Sequence, residues 1–566
     1  MKLLRRILVV VVVLILIGAA WLWFNRPSPV DLANYAPADS LLYVELNNPS
    51  AVVRAIEHSD VWKAAAPITG STPSSENKFM MTAARAGIGP VEAVLFARSQ
   101  VALVVVNVNA AEQDETLRVR PEFALIAETH TSRWRTKPAV VAAVNKLASL
   151  TYGASNCTER TADAEYVECS VAGGERKIIG AVDGTLVVVG NTENAVRSCL
   201  EARRGTRPSM RSDPELMRVR ASFAADQPLA FGYISAANSA KLFSWAAPLF
   251  MGLGAGDRQL EQLLAVSAGK ILRGVAWTAV SHNGAIEDRY HFPLESDVVS
   301  RLRPAFETAE RDADFWKLVP ESFESLTIYR SKELALAWRS LDSAVALKLD
   351  ALPAVLFGTI LKSSLSAYGI GDPKEVLTTL TPPLLTMRPS AAVEGSVLVA
   401  RVADEARLRR SLAHEHVKDH NAQIVEGIQS ELDPELEYAV VFSDEYVLLG
   451  RTENMQSCLV ALRRSAAMNS EKIRKATQES SAAILTYAND ELRLRSFIVT
   501  LLKFQGRRLT AEELARLHET LGDYTFSSTE TRLGEDGIER KTRSAFGQFS
   551  TFVSLLRPEN ADVVSR

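Results

Sequence analysis

The 566-residue sequence has few of the compositional features that identify a protein class directly. It contains only four cysteines, too few for a disulfide-dense secreted scaffold. Glycine (29) and proline (23) are both modest in number, which excludes a collagen-like or low-complexity chain. The net charge is −3 and the pI about 6.3, so the sequence lacks the basic excess typical of nucleic-acid binding. We therefore expect a folded protein with no nucleic-acid partner.

Catalytic and cofactor-binding motifs are also missing from the sequence. It has no Gly-x-Ser-x-Gly elbow, no Gly-x-x-x-x-Gly-Lys phosphate loop and no Gly-x-Gly-x-x-Gly turn. His416 and His420 lie four residues apart, but Glu415 does not stand in a His-Glu-x-x-His frame, which favours a solvated helix end. Isolated histidines such as His130 and His291 offer no spacing to interpret. We therefore assign no catalytic, cofactor-binding or metal-ligating residue and expect no cofactor.

A single long hydrophobic run lies at the N-terminus. Residues 7–24 carry no charge, follow three basic residues and end with Trp21 and Trp23. As a helix, these residues would extend about 27 Å, close to the hydrocarbon thickness of a bilayer. Tryptophan favours the membrane interface, and basic residues favour the cytoplasmic side. The sequence predicts a cytoplasmic tip and transmembrane anchor within residues 1–30, with the rest of the chain outside the cytoplasm.

A cleaved signal peptide is the alternative interpretation of this segment. Gly18-Ala19-Ala20 supplies the small residues that a signal peptidase prefers, although the apolar run is long for a signal peptide. Both interpretations place the bulk of the chain outside the cytoplasm, and we expect a single-pass protein of the bacterial inner membrane. Beyond residue 26 there are 60 basic and 67 acidic residues, a net charge of −7. That balance argues against docking of the body on an anionic lipid surface.

The sequence indicates an internal duplication. Four pairs of segments match in the same order along the chain, and their offsets decrease steadily, as expected if the second copy had lost loop residues. The strongest pair is Leu186–Asn194 and Tyr446–Asn454, in which a β-type run leads into Thr-Glu-Asn. The others are Pro37 with Pro320, Gly87-Ile88-Gly89 with Gly369-Ile370-Gly371, and Asn283-Gly284 with Asp536-Gly537.

These matches predict the domain organisation and the fold class. Two related units would occupy residues 31–299 and 313–556, joined by a linker at 300–312 and followed by a tail at 557–566. Short β-type runs alternate with helices, and Asn-Gly and Asp-Gly are hairpin turns. We expect an α+β fold of two tandem units, each a mostly antiparallel sheet with packed helices.

The cysteines divide into two kinds. Cys157 and Cys169 flank a polar segment and could face each other in a hairpin as a disulfide, which an extracytoplasmic location permits. Two half-buried thiols are the alternative. Cys199 and Cys458 lie in the helices that follow the Thr-Glu-Asn segments, and we expect buried structural thiols there.

Three stretches are unusually apolar for surface helices: 240–253, 351–361 and 496–504. Their apolar residues are too many for a one-sided stripe. Core packing against a sheet explains them most simply. The alternative is a hydrophobic groove for a lipid or acyl chain, or a surface for a membrane partner.

The chain resembles an uncharacterised bacterial family of signal-anchored envelope proteins built around a domain of unknown function. The resemblance is carried by the anchor, the Pro37–Tyr43 strand, the Leu-Val-Val-Val-Gly strand into Thr-Glu-Asn, and Pro208-Ser209-Met210 before Pro214. It covers most of residues 31–300 and, more loosely, 313–556. It implies no activity, substrate or catalytic residue.

Together these patterns favour a non-enzymatic envelope protein. It would be held in the membrane by residues 7–24 and would act as a binding or scaffold module for an envelope protein partner. A carrier of lipid or another hydrophobic ligand, using the apolar helices, is the first alternative. A hydrolase is a weaker one, because acid–base pairs are assembled by the fold rather than by sequence spacing.

Overall fold

The fold is described from a computed structural model. The described residues are 29–70, 99–113, 116–131, 133–152, 156–170, 176–223, 228–239, 270–309, 314–320, 322–349, 351–393, 395–416, 425–426, 437–464, 471–504, 507–524 and 526–551.

Within these residues, nineteen strands are found. The first ten are β1 Leu42–Leu46, β2 Gln100–Gln113, β3 Thr116–Glu128, β4 Asn156–Thr161, β5 Glu165–Ser170, β6 Lys177–Asp183, β7 Leu186–Gly190, β8 Ala230–Ser235, β9 Gly274–His282 and β10 Ala285–Pro293. The other nine are β11 Ser325–Tyr329, β12 Leu380–Arg388, β13 Val397–Val402, β14 Val425–Glu426, β15 Tyr438–Ser443, β16 Tyr446–Arg451, β17 Ile484–Asn489, β18 Phe526–Leu533 and β19 Gly537–Ser544.

The α-helices lie between these strands. In the first half they are α1 Pro49–Glu57, α2 Asp60–Thr69, α3 Arg133–Tyr152, α4 Glu193–Arg203 and α5 Pro214–Phe223, followed by α6 Ser296–Phe306. In the second half they are α7 Leu334–Ala346, α8 Ala351–Ser366, α9 Pro373–Leu377, α10 Glu405–His416, α11 Thr452–Arg464, α12 Glu471–Glu479, α13 Glu491–Phe504 and α14 Ala511–Leu521.

All nineteen strands belong to one sheet. From one edge to the other, the order is β4-β5-β6-β7-β3-β2-β1-β8-β9-β10-β19-β18-β17-β11-β12-β13-β16-β15-β14. Every neighbouring pair is antiparallel except the short β14, which is parallel to β15. The sheet is nearly twice as wide as the roughly ten strands at which open sheets ordinarily stop.

The two halves of the sheet have the same strand order. Counting outward from the centre, β10, β9, β8, β1, β2, β3 and β7 occupy the positions of β19, β18, β17, β11, β12, β13 and β16. In each half a Thr-Glu-Asn segment opens the next helix, and Thr192 caps α4 by accepting a hydrogen bond from the Ala195 amide at 3.2 Å. This shared order agrees with the predicted duplication, whose ancestry stays a prediction.

Helices cover both faces of each half. On what we call the front face, α4 and α5 pack on the first half and α11 and α12 on the second. On the opposite, back face, α3 packs on the first half, and α7, α9 and α10 pack on the second. Because side chains alternate along a strand, Leu326 lies in the front core and Tyr329 packs on the back one. The β-type runs that read as apolar in the sequence are therefore buried on both sides.

The halves are joined by their last strands and by a helical cluster. Strands β10 and β19 pair antiparallel from Ile286 opposite Ser544 to Pro293 opposite Gly537. Beside them, helix α2 of the first half packs on α13 and α14 of the second. The apolar members of this cluster include Val61, Trp62, Ala65, Leu494, Phe497, Ile498, Leu502, Leu517, Leu521 and Phe546. Burying so many large side chains stabilises the junction in addition to its backbone hydrogen bonds.

The predicted α+β class with a mostly antiparallel sheet is confirmed. The predicted anchor, residues 7–24, lies outside the described residues. Among the described residues, no helix is long and apolar enough to cross a bilayer. The predicted linker at 300–312 is in part helical, since α6 continues to Phe306. The apolar residues of α6 pack at the junction with Ile538, which explains why a charged segment is nevertheless ordered.

The disulfide between Cys157 and Cys169 is confirmed. The two cysteines lie directly opposite each other on β4 and β5, with their Cα atoms 4.1 Å apart. All six residues of β4 are exposed, so that strand is held to the sheet by its ladder and this bond rather than by a core. Cys199 and Cys458 are buried free thiols, as expected. Burial raises the pKa of both thiols to about 12.

Thiol titration tests this arrangement. We expect no thiol of the native, non-reduced protein to react at pH 8, because the free thiols are buried and protonated. Two should react after denaturation without reductant, and four after denaturation with reductant. Mass spectrometry of the alkylated protein gives the count, and four reactive thiols without reductant would contradict the disulfide.

The junction depends on a glycine in β19. A Cβ atom on Gly537 would overlap the carbonyl oxygen of Phe292 and lie 2.9 Å from its carbonyl carbon. We expect Gly537→Ala to lower the free energy of unfolding by about 1–3 kcal/mol, the ordinary cost of overpacking. Gly522→Ala is the matched control, since nothing lies within 4 Å of its Cβ position. Thermal unfolding of both variants makes the comparison, and equal midpoints would contradict the close approach.

Candidate functional site

The front face of the sheet carries charged side chains where the two halves meet. Residues paired across neighbouring strands point to the same face, so the register of β10, β19 and β18 brings alternate residues together there. We call this set the seam surface: Glu287, Arg289 and His291 of β10, Glu539, Lys541 and Arg543 of β19, and Glu530 and Arg532 of β18. The flanking front faces are covered by α5 on one side and α12 on the other.

Glu287 is the buried carboxylate of the seam surface. It is only 2% exposed, and its two oxygens accept hydrogen bonds from Arg289 Nε at 2.7 Å and Lys541 Nζ at 2.8 Å. Burial alone would raise the pKa of Glu287, but these two cations outweigh it and lower the pKa. Arg289 is local, two residues along the same strand, whereas Lys541 comes from the other half. The second of the two cations that compensate Glu287 is therefore supplied only when the halves are paired.

Asp536 forms a second ionic link across the junction. It lies in the turn before β19, where Oδ2 accepts from Arg218 Nη1 at 2.6 Å and Oδ1 lies 3.4 Å from His291 Nε2. Burial raises the pKa of Asp536, but the hydrogen bond from Arg218 helps to bring it below its ordinary value. Arg218 also binds Glu215 at 2.6 Å, and the two carboxylates raise the pKa of its guanidinium. Helix α5 of the first half is thus linked by an ion pair to the turn between β18 and β19 in the second half.

The same helix also reaches a buried network in the first half. Arg220 donates from Nη1 to Asp31 Oδ1 at 2.6 Å and from Nη2 to Glu45, which also accepts from the Tyr43 hydroxyl at 2.6 Å. Burial raises the pKa of Asp31, but the bond and charge of Arg220 outweigh it and hold the pKa below its ordinary value. Burial and Glu45 raise the pKa of Tyr43 well above 10. Helix α5 therefore connects the N-terminal segment of the body to the junction.

The back face of the junction contains a buried carboxylate, Asp288, whose hydrogen-bond donors are neutral groups. Asp288 is 1% exposed and accepts from the Trp277 indole at 2.8 Å and the Gln548 amide at 3.0 Å. Burial raises the pKa of Asp288 to about 6, because two neutral donors compensate the lost hydration only in part. The amide can approach because residue 547 is glycine with a positive φ of 55°, and a Cβ there would lie 2.5 Å from Ile286 and 2.8 Å from Asp288 Oδ2.

The arrangement on the seam surface is suited to recognition. Glu287 and Asp536 are paired with arginine or lysine, which lowers the pKa of both carboxyl groups and keeps them ionised at neutral pH. Across the part of the chain that the structure describes, no group of histidine, cysteine and carboxylate side chains could hold a metal ion. What the surface offers is a set of ion-paired charges of both signs on one face of the sheet.

Sequence reasoning had assigned no site residue, and it missed this surface. His291 had no partner at any informative spacing, yet the fold places it beside Asp536. Asp536-Gly537 was recognised only as a hairpin turn. The available signal was the run of charged residues in each strand, Glu287-Asp288-Arg289 in β10 and Glu539-Arg540-Lys541 in β19, which indicates that these strands face solvent or charged partners. His414 and His416 lie at the end of α10, and His420 is outside the described residues.

Comparison with known proteins returns no match among family models, curated proteins or solved structures.

The titration of Asp288 predicts a pH dependence of stability. Its folded-state pKa of about 6 lies above the unfolded value of about 3.9, so ionisation penalises folding above pH 6 and the penalty disappears as the pH falls to about 4. Asp288→Asn removes this titration. Between pH 7 and pH 4, we expect the wild-type free energy of unfolding to rise by about 2–3 kcal/mol relative to the variant.

Chemical denaturation of both proteins at pH 4, 5, 6 and 7 measures this difference. The comparison cancels all groups other than Asp288. A wild-type-minus-variant difference that does not change with pH would show that Asp288 is not desolvated in the folded protein.

Proposed function

We propose that this chain is a non-enzymatic, membrane-anchored protein of the bacterial envelope that binds an envelope protein partner through the seam surface. Residues 7–24 would span the inner membrane with the N-terminus in the cytoplasm, and the two-unit body would lie outside it. The disulfide between Cys157 and Cys169 supports this location, because such bonds persist in oxidising compartments.

The observation that carries the proposal is the exposed, ordered charge of the seam surface. Lys541 and Arg532 each keep nearly half of their side-chain surface in solvent while bonded to Glu287 and Glu530 at 2.8 and 2.7 Å. Arg543 is exposed and donates to the Asn283 carbonyl at 3.0 Å. Because these groups are already held in place on a sheet, little conformational entropy is lost when a partner binds. Charges of both signs favour a protein partner of complementary pattern over a polyanion.

The carrier alternative draws less support from the helices. Of the three apolar stretches, residues 496–504 belong to α13, whose Phe497, Ile498 and Leu502 are buried against α2 and α14. These apolar side chains are therefore used in the junction core. Residues 240–253 lie outside the described residues, and 351–361 form part of α8.

Charge reversal on the seam surface tests the proposal. We expect Arg532→Glu combined with Arg543→Glu to reduce recovery of a stoichiometric partner at least tenfold when the full chain is crosslinked in membranes and purified. The matched control is Arg474→Glu with Lys475→Glu, which makes the same change of charge on the exposed side of α12. Quantitative mass spectrometry measures recovery, and thermal unfolding checks the fold. Equal recovery from the seam variant and the control, or no partner with the wild type, would contradict the proposal.

A further inference from the structure

The body begins at a fixed point on the border of the sheet where β2 starts and β3 ends, which we call the strand-end edge to distinguish it from the outer strands β4 and β14. The Gln100 side chain, 3% exposed, accepts a hydrogen bond from the Val30 amide at 2.7 Å and donates to the Val30 carbonyl at 2.9 Å. It also donates to Asn47 Oδ1 at 2.9 Å. The side-chain amide of Gln100, at the start of β2, therefore bonds both the N–H and the C=O of Val30.

The proposed anchor would lie close to this point. Residues 25–29 separate Val30 from the end of the apolar run at Phe24, and fully extended they span at most about 20 Å. If residues 7–24 cross the membrane, Val30 lies within that distance of its outer surface. The strand-end edge, which carries Gln100, is then held within reach of the bilayer.

The loop after β3 is fixed at the same edge. His130 Nε2 lies 3.2 Å from Gln100 Oε1, and the His130 amide donates to Glu128 at 3.1 Å. His130 has a positive φ of 51°, a conformation that non-glycine residues adopt rarely, so its contacts determine the path of the loop. Helix α3 begins three residues later at Arg133.

Trp134, in the first turn of α3, is 70% exposed, more than any other large hydrophobic residue in the described part of the chain. An indole ring combines an apolar body with a polar N–H, and tryptophan is enriched where membranes meet water. Its basic neighbours are compensated, since Arg133 pairs with Glu165, and Lys137 lies 3.4 Å from Glu159 and 3.7 Å from Glu165. Electrostatic attraction to anionic headgroups is therefore small, and the indole of Trp134 is the main contribution to contact with lipid.

We propose that this edge of the first half rests on the outer surface of the bilayer, with Trp134 inserted at the lipid–water interface. The inference depends on the proposed membrane anchoring but not on the seam surface. The anchor supplies a high effective concentration of lipid at the edge, so a modest contact is enough to fix the orientation of the body. The contact is expected with zwitterionic lipid and is insensitive to salt.

Site-directed fluorescence in vesicles tests this contact. Lys137→Cys places a thiol one turn from Trp134, and the native cysteines are bridged or buried. The full chain is labelled there with a nitrobenzoxadiazole dye and reconstituted into phosphatidylcholine vesicles that carry a shallow nitroxide lipid. Asn107→Cys is the control, an exposed position about 23 Å along β2 from Gln100.

We expect at least threefold stronger quenching at position 137 than at position 107, and Trp134→Ser should abolish that difference. Quenching that is equal at the two positions, or unchanged by Trp134→Ser, would overturn the inference. Dye that is shielded from water but not quenched would show that protein, and not lipid, covers the edge. Flotation of the vesicles separates the two proposals: if the chain does not float, the anchoring itself fails and this inference fails with it.

Discussion

The antiparallel pairing of β10 with β19 is the interaction on which the rest of the structure depends. Each of these strands is the last one in its half and would otherwise expose a row of unpaired backbone groups. Pairing satisfies both rows at once, so β4 and β14 are the outer strands that remain in the described part of the sheet. The helical cluster around Trp62 and Phe497 then covers the junction with apolar contacts that neither half supplies alone.

The charged groups of the junction define its register. The front of β10 carries Glu287 toward Lys541, while the back carries Asp288 toward Trp277 and the Gln548 amide. A slip of one residue between β10 and β19 would turn Lys541 to the back face, away from Glu287, and leave that buried carboxylate with Arg289 as its partner. The buried charges therefore specify one pairing of the halves, even where their net contribution to stability is small.

Helix α5 links the junction to the N-terminal segment of the body through two arginines. Arg218 and Arg220 lie two positions apart, so one guanidinium reaches Asp536 in the second half and the other reaches Asp31 and Glu45. The N-terminal segment, the first half and the turn of the second half are consequently held by one short helix. Such a body is suited to presenting a surface at a fixed position, as the proposed binding role requires.

Local features of this protein were predictable from the sequence. The Asn283-Gly284 and Asp536-Gly537 turns, the Thr192 cap and the opposition of Cys157 to Cys169 each depend on residues close together along the chain. The α+β class followed from the same short-range patterns of apolar and turn residues.

Only the tertiary structure decided what those elements form together. His291 and Asp536 come from different halves, as do Glu287 and Lys541, and no spacing in the sequence relates them. The one pattern available, a run of three charged residues in each of β10 and β19, indicates charged surroundings but does not identify the partner strand. The sequence by itself therefore determined the parts: an apolar N-terminal run, two similar halves, their turns and two cysteines placed to face each other in one hairpin. The pairing of β10 with β19 created the seam surface, because the charge of a buried carboxylate is compensated by whichever cations the folded sheet places beside it.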